Sequence, residues 1–179
     1  MKKIKACMLV AMSVGLLFGC GKADTDAVKK AESTEVNKSA ETKIKKIGVG
    51  EIAEYEDIQI LVHDFKETSG NEWFKPDKGN KFVYVNLEVA NNTSEDLSLN
   101  SLISFEGYQD DYKLENNTDA FIAMEDGYQK LDGNLSPGKK IKGWIGFEVS
   151  KDWKVLEVKY MDDVWKDSNY MFEIKNDKK

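Results

Sequence analysis

Apolar and polar residues alternate with a period of two along most of the chain after residue 46. The clearest run includes Val83, Val85, Leu87 and Val89, each separated from the next by one polar or aromatic residue. This alternation is typical of β-strands that place one face against a core and the other in solvent. Similar runs occupy residues 58–63, 141–149, 156–160 and 170–175, and weaker ones occupy 102–108 and 121–131.

Clusters of turn-forming residues separate these runs. They contain Ser, Gly, Asn, Asp and Pro, the residues that favour turns, at positions 69–71, 76–80, 91–94, 116–118 and 136–138. Seven or eight short strands with frequent turns, and no long amphipathic helix, predict an all-β antiparallel sandwich. We expect Val85, Leu87 and Phe147 to lie together in its core.

The N-terminus has a different pattern. Lys2, Lys3 and Lys5 precede an apolar run over residues 8–18, and small residues then lead to Cys20. A positive segment, a short apolar segment and a cleavage point together indicate an export signal. The apolar run is too short to cross a bilayer core of about 30 Å, which requires a helix of about 20 residues.

The end of this signal resembles the lipobox of bacterial lipoproteins, on the residues Leu16-Leu17-Phe18-Gly19-Cys20. The resemblance implies cleavage after Gly19 and a thioether-linked diacylglycerol on Cys20, with a palmitate-type acyl anchor. The protein would then be attached to the cell membrane on its extracytoplasmic face. The alternative is an ordinary signal peptide that happens to be followed by a cysteine.

Composition divides the rest of the chain in two. Residues 20–46 are rich in Lys, Glu, Ala, Thr and Ser and contain no aromatic residue, which predicts a flexible tether. Residues 47–179 form one domain of ordinary size.

Without residues 1–19 the chain has 23 lysines, no arginine and 32 acids, a balance of −9. This charge argues against nucleic acid as a partner. Cys20 would be the remaining cysteine, so no intrachain disulfide is expected.

The strand region resembles the immunoglobulin-like domain of bacterial lipoproteins that carry the domain of unknown function 4352. The resemblance rests on Gly48-Val49-Gly50-Glu51, which we expect to open a first long strand, and on the run at residues 79–93. It rests further on the spacing Leu-x-Pro-Gly-x-x-x-x-Gly-x-x-x-Phe from Leu135 to Phe147. It implies a lipobox, a polar tether and one immunoglobulin-like β-sandwich. It supplies no catalytic residues.

Few residues suggest chemistry. His63 is the only histidine, so a zinc site built from His and Cys is not expected, and no familiar serine-nucleophile motif occurs. We predict no cofactor and no resident metal. Hard cations prefer several oxygen ligands, so the acidic pairs Asp110-Asp111 and Asp162-Asp163 are weak candidates for a cation site. The other interpretation is that these carboxylates are solvated.

Two adjacent aromatic residues, Trp73 and Phe74, lie in a polar loop at residues 69–78. Large aromatic side chains exposed together form binding patches. The alternative is that one of them tucks beneath the loop and covers the core. Trp144 falls on the polar side of its strand, where it covers a second small cluster or is buried by a partner.

These observations favour a membrane-anchored, non-enzymatic module that binds an unknown envelope protein or ligand. A first alternative is an accessory subunit that assists an exported enzyme or transporter by strand addition at a sheet edge. A second alternative is a hydrolase that uses a carboxylate pair in a groove.

Overall fold

The computed structural model describes residues 44–115, 118–124, 128–163, 166–167 and 170–177, of which 162, 163, 166 and 167 are described by their backbone alone. These residues form twelve strands and one short helix. In chain order the elements are β1 (Lys45–Gly48), β2 (Ile52–Tyr55), β3 (Ile58–Thr68), β4 (Asn80–Asn91), β5 (Leu97–Leu99), β6 (Phe105–Gln109), β7 (Tyr112–Lys113), α1 (Thr118–Ile122), β8 (Gly133–Leu135), β9 (Lys140–Ser150), β10 (Val155–Asp163), β11 (Lys166–Asp167) and β12 (Tyr170–Lys175).

Two sheets pack face to face as a β-sandwich. Sheet I has the strand order β1-β12-β10-β6-β7, with β11 paired to β10, and sheet II has the order β2-β3-β4-β9. A small ladder joins β5 and β8. Strand β1 pairs with β12 in parallel. The other pairs between these described strands are antiparallel. The predicted antiparallel immunoglobulin-like sandwich is therefore confirmed, with one parallel pair added.

The core lies between the two sheets. Val85, Leu87 and Phe147 are all buried there, as the alternation predicts. Gly107 of sheet I faces the Phe147 ring so closely that a Cβ atom would lie 2.6 Å from it. The glycine in β6 therefore makes room for a large side chain from sheet II. Burial of these apolar side chains is the main source of stability in a domain of this kind.

A second apolar cluster lies on the outer face of sheet II. It contains buried residues from β4 and from α1 and its C-terminal end, namely Phe82, Tyr84, Ala120, Ala123 and Met124. Strand β4 is therefore buried on both faces over much of its length. The expectation that β4 is half-buried is wrong, because α1 covers the face that alternation would leave in solvent.

Three local predictions differ from the structure, two in the kind of element and one in where a strand begins. The weak strand expected at 121–131 is replaced by α1 at its start, and Ala120, Ala123 and Met124 have the i, i+3, i+4 spacing of one helix face. The strand expected at 102–108 is β6, which begins only at Phe105 because residues 101–104 turn. The run 48–51 does not open a long strand: Gly48 ends β1 and the chain then turns into β2, with the Glu51 side chain accepting a hydrogen bond from the Gly48 N–H at 2.8 Å.

Candidate functional site

The aromatic loop joins β3 to β4 and is held in one shape by Asn71. The Asn71 Oδ1 atom accepts hydrogen bonds from the N–H groups of Trp73 and Phe74 at 2.9 and 2.8 Å. The Asn71 N–H donates to the Phe74 carbonyl at 2.9 Å. Gly70 has a φ of 82°, and a Cβ atom there would lie 2.1 Å from the Phe74 oxygen. The tight turn therefore requires glycine at this position.

The base of the loop is tied to the neighbouring strand β9. The Glu148 carboxylate accepts hydrogen bonds from the Asp77 N–H and from the Asn80 side-chain amide, both at 2.8 Å. The Gly79 carbonyl accepts a further bond from the Lys151 N–H at 2.9 Å. The loop is thus anchored at its tip by Asn71 and at its base by Glu148.

The two aromatic side chains of this loop have opposite environments. Trp73 is 81% exposed, whereas Phe74 is half-buried and packs against the outer cluster. The alternative in which one ring tucks beneath the loop is therefore correct for Phe74. The exposed patch predicted from the pair consists of Trp73 alone.

An aromatic row continues from the outer cluster across sheet II. Tyr84 and Tyr128 pack edge to face with centroids 5.4 Å apart, and Tyr128 and Trp144 do so at 5.0 Å. The Lys66 ammonium lies 5.2 and 5.4 Å from the Tyr128 and Trp144 rings. Trp144 therefore covers a second cluster, which is the first of the two environments considered for it.

The residues considered for a cation site lie in two different parts of the fold. Asp110 and Asp111 form the two-residue turn between β6 and β7 and have φ values of 50° and 67°. Positive φ at both central residues is the conformation that this hairpin turn requires, so these residues have a structural role. Asp162 and Asp163 end β10, and their side chains lie outside the described part. Among the residues described, no group of three or more His, Cys, Asp and Glu could hold a metal ion.

His63 lies at a β-bulge in β3, where the register shifts between Val62 and Asp64. Its Nε2 atom is 3.3 Å from Glu88, and the Lys140 ammonium is 3.1 Å from the same carboxylate. The hydrogen bond from Lys140, opposed by partial burial and assisted by His63, lowers the pKa of Glu88. This network is a partly exposed polar cluster on the outer face of sheet II.

Glu67 is a structural residue that the alternation did not reveal. Its carboxylate accepts hydrogen bonds from the Trp153 indole at 2.6 Å and the Asn176 amide at 2.9 Å, and the Lys81 ammonium lies 3.1 Å away. Burial raises the pKa of Glu67, but the bonds from Trp153, Lys81 and Asn176 outweigh it, so the pKa lies below its usual value. Glu67 ties β3 to the β9–β10 loop and to the end of the chain.

Three of the described strand edges, those of β1, β7 and β3, offer little room for an added strand. The Gly48 end of β1 is capped by Glu51, and β7 has only two residues. Strand β3 bends at its bulge and then carries the exposed, charged residues Asp64 and Lys66. Short, bent and charged edges are the features by which proteins avoid edge-to-edge pairing. Strand β9, the long edge strand of sheet II, is covered at Trp144, which exchanges backbone hydrogen bonds with Gln129 and Leu131. Strand addition along the rest of β9 stays an alternative.

Cys20 lies outside the described residues, and its acylation stays a prediction. Within the described part of the chain, no helix has the length and apolar character needed to span a membrane.

Comparison with known proteins identifies the family. Residues 47–170 match the profile of the domain of unknown function DUF4352. The chain belongs to this family. The resemblance seen in the sequence is thereby confirmed, and the matched residues run from β1 to the start of β12. A comparison with the curated proteins finds no match.

Three solved structures share the fold. The candidate lipoprotein ycdA of Bacillus subtilis has a TM-score of 0.56 and 19% identity over 71% of this chain, which spans only 39% of that protein. The yjhA protein of Bacillus subtilis has a TM-score of 0.55 and 15% identity, covering 72% of this chain and 99% of its own. The secreted protein MPT63 of Mycobacterium tuberculosis has a TM-score of 0.51 and 13% identity, covering 73% and 97%. At these identities the likeness concerns the fold alone.

Proposed function

We propose that this DUF4352 protein is a non-enzymatic, extracytoplasmic lipoprotein that binds a protein of the cell envelope through the loop bearing Trp73. One observation carries the proposal: a tryptophan that is 81% exposed stands on a loop whose backbone is fixed by hydrogen bonds. Leaving so large an apolar side chain in water is unfavourable for the isolated protein. Its burial in a complex would recover that free energy.

Rigidity of the loop adds to the argument. Binding costs the entropy of ordering whatever was mobile, so a surface already held in shape loses less on association. The bonds from Asn71 and Glu148 keep the loop ordered before any partner arrives. Tryptophan is also among the residues that most often dominate the energy of protein interfaces.

The location rests on the lipobox at residues 16–20. Two acyl chains give stable membrane binding, at about 0.8 kcal/mol per buried CH₂, whereas one chain does not. Cys20→Ser should therefore abolish incorporation of labelled fatty acid and release the protein from the membrane fraction. Equal labelling of Cys20→Ser and wild type would contradict the anchor.

A capture experiment tests the binding surface. The full chain serves as bait in a detergent extract of the cell envelope, and each captured protein is quantified against Trp73→Ala. We expect at least one specific partner to fall tenfold or more with Trp73→Ala. Tyr112→Ala is the matched control, because Tyr112 is 80% exposed but lies at the β6–β7 turn. Equal capture by wild type and Trp73→Ala would refute the proposal.

A further inference from the structure

A groove lies where β1 of sheet I faces the middle of β3 in sheet II, with the end of β12 beside it. Its volume is about 660 Å³, and its apolar lining includes Ile47, Val49 and Phe65. Volumes of roughly 300–1,000 Å³ are usual for sites that bind ligands. The groove shares no lining residue with the loop at 69–78, so any occupant would be recognised independently of Trp73.

The charges around the groove are unevenly paired. The Lys46 ammonium lies 2.6 Å from Glu157 and 3.2 Å from Glu173, and the Lys175 ammonium lies 2.9 Å from Glu173. Both lysines are therefore neutralised by neighbouring carboxylates. Asp64, Asp177 and His63 also line the groove. Neither aspartate forms an ion pair or hydrogen bond with another described residue. The hydrogen bond to Glu173 and, to a smaller degree, the charge of Asp177 raise the pKa of Lys175. The lining thus carries three carboxylates, those of Asp64, Glu173 and Asp177, against two lysines, and its balance is negative when His63 is counted as neutral.

The backbone of β1 contributes little to recognition. The N–H and C=O of Gly48 both bond to Glu51, so they point away from β12. Because backbone groups alternate along a strand paired in parallel, those of Lys46 point the same way. The outward-pointing backbone groups of Lys46 alone cannot support an added strand. An occupant must be held mainly by its side chains, with an apolar stem against Ile47 and Phe65 and a positive head at the aspartates.

We propose that this groove binds an extended peptide segment of a partner protein through a lysine or arginine side chain, whose charge is met by Asp64 and Asp177. Lysine and arginine have the apolar stem and cationic head that this lining fits. A hydrogen bond between the cation and a carboxylate is stronger than one between neutral groups. The protein would then have two recognition surfaces, one centred on Trp73 and one on the groove.

Fluorescence anisotropy with the full chain tests this site. The probe is a fluorescein-labelled peptide in which two lysines flank a leucine, and the matched probe carries two glutamates instead. We expect binding of the lysine probe alone, weakened at least fivefold by Asp64→Asn with Asp177→Asn and reduced by added salt. Asp96→Asn with Glu115→Gln removes two exposed acids elsewhere and should change affinity less than twofold.

Three results would overturn the proposal. They are equal binding of both probes, unchanged affinity in the Asp64 and Asp177 double variant, and no binding of the lysine probe at millimolar protein. Thermal melts of each variant verify folding, and Asp64→Asn alone provides a milder change if the double variant is unstable. Trp73→Ala should leave the affinity of the lysine probe within twofold, so this test is separate from the test of the Trp73 loop.

Discussion

The two apolar clusters of the sandwich differ in how they are built. The core between the sheets consists of strand residues at alternate positions, such as Val85 and Leu87. The outer cluster joins one face of β4 to a single-turn helix and to the loop residue Phe74. The first stabilises the fold, and the second supports the loop that presents Trp73. A sheet face that alternation assigns to solvent can thus become the foundation of a recognition surface.

The largest expected effect lies in the inter-sheet core. Leu87 is fully buried, so Leu87→Ala should lower the free energy of unfolding by about 2–5 kcal/mol through lost burial and a cavity. Urea denaturation measures this change. A stability equal to wild type would mean that the register of β4 is wrong.

A smaller effect is expected where the chain crosses sheet II. A Cβ atom at Gly143 would lie 2.8 Å from the backbone of Leu131, which cannot move aside as a flexible side chain would. Gly143→Ala should therefore cost about 1–3 kcal/mol of stability, the usual range for overpacking. At Gly48 the nearest atom is 3.4 Å away, on the Glu51 side chain, so Gly48→Ala is the control. Equal losses in both variants would contradict the close crossing.

The outer cluster should respond to Phe74 more moderately. Because Phe74 is only half-buried, Phe74→Ala should cost about 1–2 kcal/mol. Trp73→Ala should change stability by less than about 0.5 kcal/mol, as is usual for exposed positions. Urea denaturation of the two neighbouring variants gives the contrast directly. A larger loss for Trp73→Ala than for Phe74→Ala would reverse the assignment of the two rings.

The pH dependence of stability reports on Glu67. Its pKa in the folded state is below the ordinary value of 4.5, so its contribution is present above about pH 4.5 and is lost as the pH falls through the folded pKa. Wild type should therefore lose more stability between pH 6 and pH 3 than Glu67→Gln does. Thermal melts across this range measure the difference. Equal losses of stability with falling pH in wild type and Glu67→Gln would show that the bonds from Trp153 and Asn176 do not favour the ionised carboxylate.

The sequence predicted the sandwich because its inner faces follow a simple period of two. The burial of Val85, Leu87 and Phe147 follows from this alternation alone. Residues 118–124 escaped prediction because a single helical turn carries too few residues for its period to stand out, although Ala120, Ala123 and Met124 have helical spacing. The loop at 69–78 was found from its aromatics, but nothing local indicated which ring faces inward. The groove depends on residues from three distant strands, which only the fold brings together.

The central claim is that Trp73 projects into solvent while Phe74 packs inward. Acrylamide quenching of tryptophan fluorescence tests it most directly, since a neutral quencher is insensitive to the net charge of −6. Trp153 is buried and Trp144 is half-buried, and the comparison of wild type with Trp73→Phe isolates the contribution of Trp73. We predict that Trp73→Phe removes a readily quenched part of the emission. An unchanged quenching curve would contradict the account.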